Sequence, residues 1–183
     1  MKISVFLSYP KPHLSAQQRF VGRLDEYLRM RGLEPRTLGV TDYDMDAPLK
    51  AIRRLMLESN GLITIAFRRS LITEVKVRAN ADIDGAQESQ MRDVWLTSPY
   101  CQIEPAMAYQ LGLPVLVLRE KGVIQEGLLE RGVGGTYMPE FSLEDESVDY
   151  LRSHEWNALV GKWEGFVRSV VEMKGNPPKL YGY

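Results

Sequence analysis

The chain has 183 residues, 44% hydrophobic and 26% charged, with 23 Lys and Arg against 24 Asp and Glu. That length suits one domain with a substantial core, and a formal net charge of -1 gives no bulk reason to expect nucleic acid or a membrane as partner. One cysteine excludes an internal disulfide, and two distant histidines, His13 and His154, leave too few ligands for a zinc site.

"KISVFLS" (2–8) is an apolar, β-branched run closed by Tyr9-Pro10 and predicts a buried strand. No signal-type apolar segment fits ahead of Pro10, and no run approaches a membrane span, so the expected location is cytoplasmic. Ser15 with Gln18 resembles a capping box for a helix carrying Phe20, Leu24, Tyr27 and Leu28 on one face, stopped by Gly32. "LEPRTLG" (33–39) reads as an edge strand that tolerates Pro35. Asp46 is expected to cap a helix with Leu49, Ile52 and Met56 inward, ending near Asn60-Gly61. "GLITIAF" (61–67) is the clearest strand, and a helix over 99–111 and a strand over 113–118 follow after a gap. "IQEGLLERG" suggests a short helix and "GTYMPEF" a fifth strand. The closing helix shows a broad stripe of Trp156, Leu159, Val160, Trp163, Phe166, Val167 and Val170, with Gly175 and Pro177-Pro178 as its stop.

Strands alternating with helices imply an α/β, doubly wound, flavodoxin-like parallel sheet of about five strands, in the order 2-1-3-4-5 with 61–67 central. Helices then cover both faces, and ligands bind beyond the carboxyl ends of the strands. The expected organisation is a single domain over 1–175 with a tail at 176–183. Residues 68–97 are longer than a usual connection and are read as an insertion or lid bordering the pocket, its first half a helix or a hairpin.

One acid interrupts the apolar front of the 99–111 helix. Ser98 can cap this helix with Pro99 at its first position, which places Glu104 in the second turn near Cys101. An acid there can serve the helix dipole alone, but apolar neighbours would desolvate it and tune it for chemistry. "SPYCQIE" resembles the Ser-x-x-Cys-x-x-Glu pattern of Toll/interleukin-1 receptor (TIR) domains, "LGLPVLVL" the strand after it, and "VFLSYP" the family's first strand. In enzymatic TIR domains that glutamate cleaves the nicotinamide–ribose bond of NAD. The resemblance therefore assigns catalysis to Glu104, with Ser98 and Cys101 as motif companions. The chain departs from the family in its long 68–97 connection and in Pro105, a helix-interior proline.

"EPAMAYQLGLPVLVL" is also similar to a segment of nucleoside 2-deoxyribosyltransferases and related N-glycosidases, although their Asp-Ser-Gly-Thr lead-in is absent here. Both resemblances put Glu104 at an anomeric carbon. Ser8, Tyr9, Phe67 and Arg68 fall at the ligand edge and are taken as substrate-binding candidates, Ser8 and Tyr9 for ribose or base, and Arg68 with Arg69 for pyrophosphate. "TDYDMD" fails as a calcium loop, because counting from Asp42 puts Arg53 where a bidentate glutamate belongs. The expected partners are NAD or a related nucleotide as substrate, an effector protein responding to the product, and a homo-oligomer, with neither metal nor added cofactor. A stand-alone chain of this kind resembles TIR proteins of bacterial antiphage systems. A non-catalytic TIR scaffold or nucleotide sensor is the alternative outside enzymology.

Overall fold

The computed structural model describes residues 2–134, 137–145 and 147–173. Its elements in chain order are β1 (Ile3–Ser8), α1 (Ser15–Met30), β2 (Leu33–Arg36), α2 (Pro48–Leu57), β3 (Leu62–Ala66), β4 (Ser70–Val77) and β5 (Ser89–Leu96), followed by α3 (Tyr100–Gln110), β6 (Val115–Glu120), β7 (Glu140–Phe141) and α4 (His154–Glu172). Five strands form one parallel sheet in the order β2-β1-β3-β6-β7. This is the expected doubly wound α/β arrangement, with β3 in the middle and buried at all five positions.

Strand periodicity sends alternate side chains to opposite faces. On one face Val5 and Leu7 of β1, with Ile63 and Ile65 of β3, meet Phe20, Leu24 and Leu28 of α1 and Trp156, Val160 and Trp163 of α4. On the other, Phe6 and Leu62 meet Ile52, Leu55 and Met56 of α2 and Ala108 of α3. Ser8, two residues beyond Phe6, must therefore face α2 and α3.

Several boundaries differ from the sequence reading. Leu14, not a side-chain cap, precedes α1, and the return contact comes from Gln17, whose Oε1 accepts from His13 N at 3.2 Å. Asp46 does not cap α2, which opens at Pro48 behind Ala47; Asp46 instead accepts from Lys50 Nζ at 2.8 Å. Leu49 is 54% exposed, because the inward stripe of α2 is Ala51, Ile52, Leu55 and Met56. Phe166 lies at the margin of the α4 stripe, 40% exposed. The short helix after Ile124 is a single 3-10 turn, Gly127–Leu129, and the fifth strand is confined to Glu140–Phe141. Gly135, Thr136 and the stop signals Gly175, Pro177 and Pro178 lie outside the described residues.

Residues 68–97 form an antiparallel hairpin, with Ile72 opposite Val94 and Val75 opposite Met91. Arg69 N donates to Leu96 O at 2.9 Å and closes its base, while Trp95 packs into the core beneath. Only Arg69 of the hairpin and its flanks reaches the cleft described below, so the segment borders the pocket rather than covering it. No helix among the described residues is long and apolar enough to cross a membrane.

Gly61 lets α4 settle on the start of β3. A Cβ there would meet Val167 Cγ2 at 2.6 Å and Trp163 Cζ2 at 3.2 Å. Gly61→Ala is expected to destabilise the fold by about 1–3 kcal/mol through overpacking. Gly161→Ala, in α4 with nothing within 4 Å of the new Cβ, is expected to stabilise it by about 1 kcal/mol. Denaturant unfolding of the two variants checks both signs.

Candidate active site

The carboxyl end of β1, the loop after β2, the start and inner face of α2 and the first turns of α3 enclose a cleft of about 640 Å³. β1 and the loop after it supply Ser8, Tyr9 and Lys11, the far wall carries Leu38 and Ile52, and the near wall carries Arg69, Ser98, Tyr100, Cys101 and Glu104. This is the edge where a parallel sheet presents ligands.

The buried positions of α3 are Cys101, Glu104, Pro105 and Ala108, a single helical stripe that turns the acid inward. Glu104 is only 8% exposed. Pro105 cannot donate to the Cys101 carbonyl, yet the helix runs through it to Gln110. The Ser8 hydroxyl, itself buried, donates to Glu104 Oε2. Burial pushes the Glu104 carboxyl up from 4.5 to about 7, and the Ser8 hydrogen bond only partly opposes it.

Glu164 makes the contrast. It is as little exposed to solvent though less deeply enclosed, and hydrogen bonds from Arg168 and Arg31 outweigh its desolvation and hold it below the usual carboxylate range. Glu120 is also raised by burial, but it lies outside the cleft and accepts from Arg68 N at 2.7 Å. Among the described residues, Glu104 is the buried acid that lines a cavity with a neutral hydroxyl for its partner and no ion pair.

The other predicted residues divide. Ser98 is 9% exposed and lines the cleft; its Oγ accepts from Tyr100 N at 3.3 Å and its carbonyl accepts from Cys101 N at 2.9 Å, the contacts that start α3. Cys101 lines the floor, its sulfur held between Thr97 Oγ1 at 3.5 Å and Ile65 O at 3.7 Å. Burial pushes its thiol up to about 12, so it is an inert apolar wall and not a nucleophile. Tyr9 lines the cleft half-buried, its phenol raised by burial against a hydrogen bond with Thr37.

Phe67 and Arg68 do not reach the cleft. Phe67 shares the face of Ile63 and Ile65 and packs edge-on to Phe20 and Phe141. Arg68 is drawn away by Lys121 O at 2.6 Å, Glu144 at 2.8 Å and the Trp95 ring, 5.6 Å from its guanidinium. Arg69 stands in the cleft wall instead, joined by Lys11 and Tyr100, which the sequence did not single out. Lys11 could have been found as the first cation beyond the ligand end of β1. Neither Lys11 nor Arg69 has an ion pair among the described residues. Those residues also hold no group of three or more His, Cys, Asp or Glu placed for a metal ion.

No protein-family model matches this chain, and a search of curated proteins returns no match. Solved structures of similar path include a Clostridium botulinum CMP N-glycosidase, BcmB, at 14% identity and TM-score 0.49, over 87% of this chain and 98% of that one. The TIR domains of the activated Roq1 resistosome, which recognises the pathogen effector XopQ, align over 94% of this chain and 75% of that one, at 14% identity and TM-score 0.41. A conserved protein from Enterococcus faecalis V583 aligns over 71% of this chain and 70% of that one, at 16% identity and TM-score 0.40. These likenesses lie in the order of strands and helices.

A carboxyl raised from 4.5 to about 7 holds its proton more tightly in the folded than in the unfolded chain. Its ionisation therefore costs stability progressively as pH rises from 4.5 through 7, and the cost is complete above that window. Glu104→Gln is expected to match the parent near pH 4.5 and exceed it at pH 8 by up to about 3 kcal/mol. Thermal or denaturant unfolding at several pH values measures the gap; a structural role through charge gives a variant that is weaker at pH 8.

Proposed function

We propose that the chain is an N-glycosidase cleaving the nicotinamide–ribose bond of NAD, with Glu104 meeting the anomeric carbon. The observation that carries this reading is a buried, cation-free carboxyl facing a cleft at the ligand edge of the sheet. A glutamate kept for stability would be expected to have the guanidinium partners that Glu164 has. Glu104 has a hydroxyl that fixes one carboxylate oxygen and leaves the other for substrate.

In this reading the C1′–N bond breaks with its electron pair leaving on the pyridine nitrogen, which becomes neutral nicotinamide. The ionised Glu104 carboxylate stabilises the positive centre left at C1′, by charge or by transient covalent capture. Water then adds at C1′ and loses a proton, giving ADP-ribose; attack by a base nitrogen of the same molecule gives a cyclic product instead. No proton donor is needed, since nicotinamide leaves from a cationic state. Lys11 and Arg69 supply positive charge for the pyrophosphate, and Tyr9 and Tyr100 offer rings for a base or ribose. A product of this kind suits the signalling role that the sequence resemblance suggests, with an effector protein as its receiver.

A second reading has an observation of its own. With its carboxyl near 7, Glu104 is also available in its protonated form, which can donate a proton to a neutral leaving base. That suits a nucleoside 5′-phosphate as substrate. The two readings separate by pH: NAD cleavage should rise through about pH 7 as Glu104 ionises, whereas cleavage that needs the protonated acid should fall.

Purified protein incubated with NAD, with CMP and with unphosphorylated nucleosides, followed by chromatography of released bases, tests the proposal. Nicotinamide release is expected, reduced on the order of a hundredfold or more in Glu104→Gln. Arg69→Ala is expected to raise KM for NAD more than for nicotinamide riboside, which lacks phosphate. Base release undiminished by Glu104→Gln contradicts the proposal, and nucleotide binding without any release turns the site into a sensor.

A further inference from the structure

We propose that the outer edge of β4 pairs with the same edge of a second copy of this chain, antiparallel, about a two-fold axis through Val75. The inference stands apart from the chemistry assigned to Glu104. β4 is eight residues long and bonded to β5 on one side, and among the described residues no backbone hydrogen bond reaches its other side. Leu71 and Val77 remain 48% and 37% exposed on it. A two-stranded ribbon is marginal in water by itself, and a long unpaired strand edge is a template for another strand.

β5 offers no equal edge. Its base is already bonded to the segment after β6, through Trp95 N to Gly122 O at 3.1 Å and Ile124 N to Trp95 O at 2.9 Å. Further out, Asp93 has φ 52, a left-handed backbone that breaks the extended path. The positive-φ non-glycine residues among those described, Arg78, Asn80 and Asp93, lie outside β4.

The register follows from charge. Neighbours along a strand face opposite sides of the sheet, so a two-fold axis normal to the sheet must pass through a residue. Centred on Val75, each copy's Glu74 lies opposite the other's Lys76, Thr73 lies opposite Val77, and Val75 meets itself. Centred on Glu74 or Lys76, like charges face each other, and centred on Val77, Lys76 faces Arg78; cross-strand pairs of like sign are unfavourable. A centre on Thr73 leaves Glu74 opposite Ile72 with no charge partner. Within the hairpin these side chains have only solvent-exposed partners, Lys76 with Glu88 at 3.2 Å and Glu74 with Arg92 at 3.9 Å. Such exposed pairs are weak enough to be exchanged. The result is a four-stranded antiparallel sheet joining two copies, with each copy's cleft at the base of its own arm, where Arg69 reaches it.

Sedimentation velocity of the full chain over a concentration series is expected to show a monomer–dimer equilibrium. Glu74→Lys and Lys76→Glu should each weaken it by roughly tenfold or more, and the combined exchange should restore it. Disulfide capture tests the register without relying on hairpin charge. Under mild oxidation Val75→Cys should give a covalent dimer, because position 75 faces itself, while Val77→Cys should not, because it faces Thr73; Cys101 is buried and contributes no background. A parent chain that stays monomeric with no cross-link at position 75, or a dimer that cross-links equally through both positions, overturns the proposal.

Discussion

The site depends on one interaction, the hydrogen bond from a buried hydroxyl on β1 to a buried carboxyl on α3. Moving a carboxylate out of water without a counter-charge costs several kcal/mol, and the usual response is to shift toward the neutral form. Ser8 satisfies one oxygen and returns part of that cost, but the shift that remains leaves Glu104 near 7, where both protonation states are populated at neutral pH. A paired cation would have removed that property. Glu164, as little exposed but held by two arginines, shows what the chain does with an acid kept for stability.

The rest of the architecture serves to hold that pair together. Ser8 reaches α3 because alternation along β1 places it on the face of Phe6, and β1 is fixed against β3 by the register Phe6–Leu62 and Ser8–Thr64. α3 lies on that same face through Ala108, while Cys101 touches Ala66 and Val117 beneath it. The start of α3 is set by Ser98 immediately after the hairpin, so the insertion delivers the chain to the helix whose second turn carries the acid. A shift of β1 by one residue would turn Ser8 to the opposite face and leave Glu104 buried with no partner.

Much of this was legible from residue order. The unbroken apolar run 61–67 marked the central strand, the stripe of α4 marked a covering helix, and the isolated acid at the front of the 99–111 helix marked the cleft wall. What escaped depended on long-range contacts or on face parity. Arg68 looked free at a strand end, but Glu144 and Lys121, far along the chain, take its guanidinium. Phe67 shares parity with Ile63 and Ile65, which face α1 and α4 rather than the ligand, so the two-residue period held the correction. Asp46 and Leu49 misled because Pro48, two residues past the supposed cap, supplies the helix start. The 68–97 segment was ambiguous because its alternation runs only through β4; in β5 the left-handed Asp93 interrupts the pattern that would have marked a hairpin.

The central claim is that burial against Ser8, without a cation, holds the Glu104 carboxyl near neutrality. A carbon-13 NMR titration of the side-chain carboxyl, with Glu104 assigned by its absence from the Glu104→Gln spectrum, measures this directly. The account predicts a midpoint near 7, moved higher in Ser8→Ala because the hydrogen bond favours the charged form. A midpoint at the ordinary 4.5, unmoved by Ser8→Ala, would contradict it.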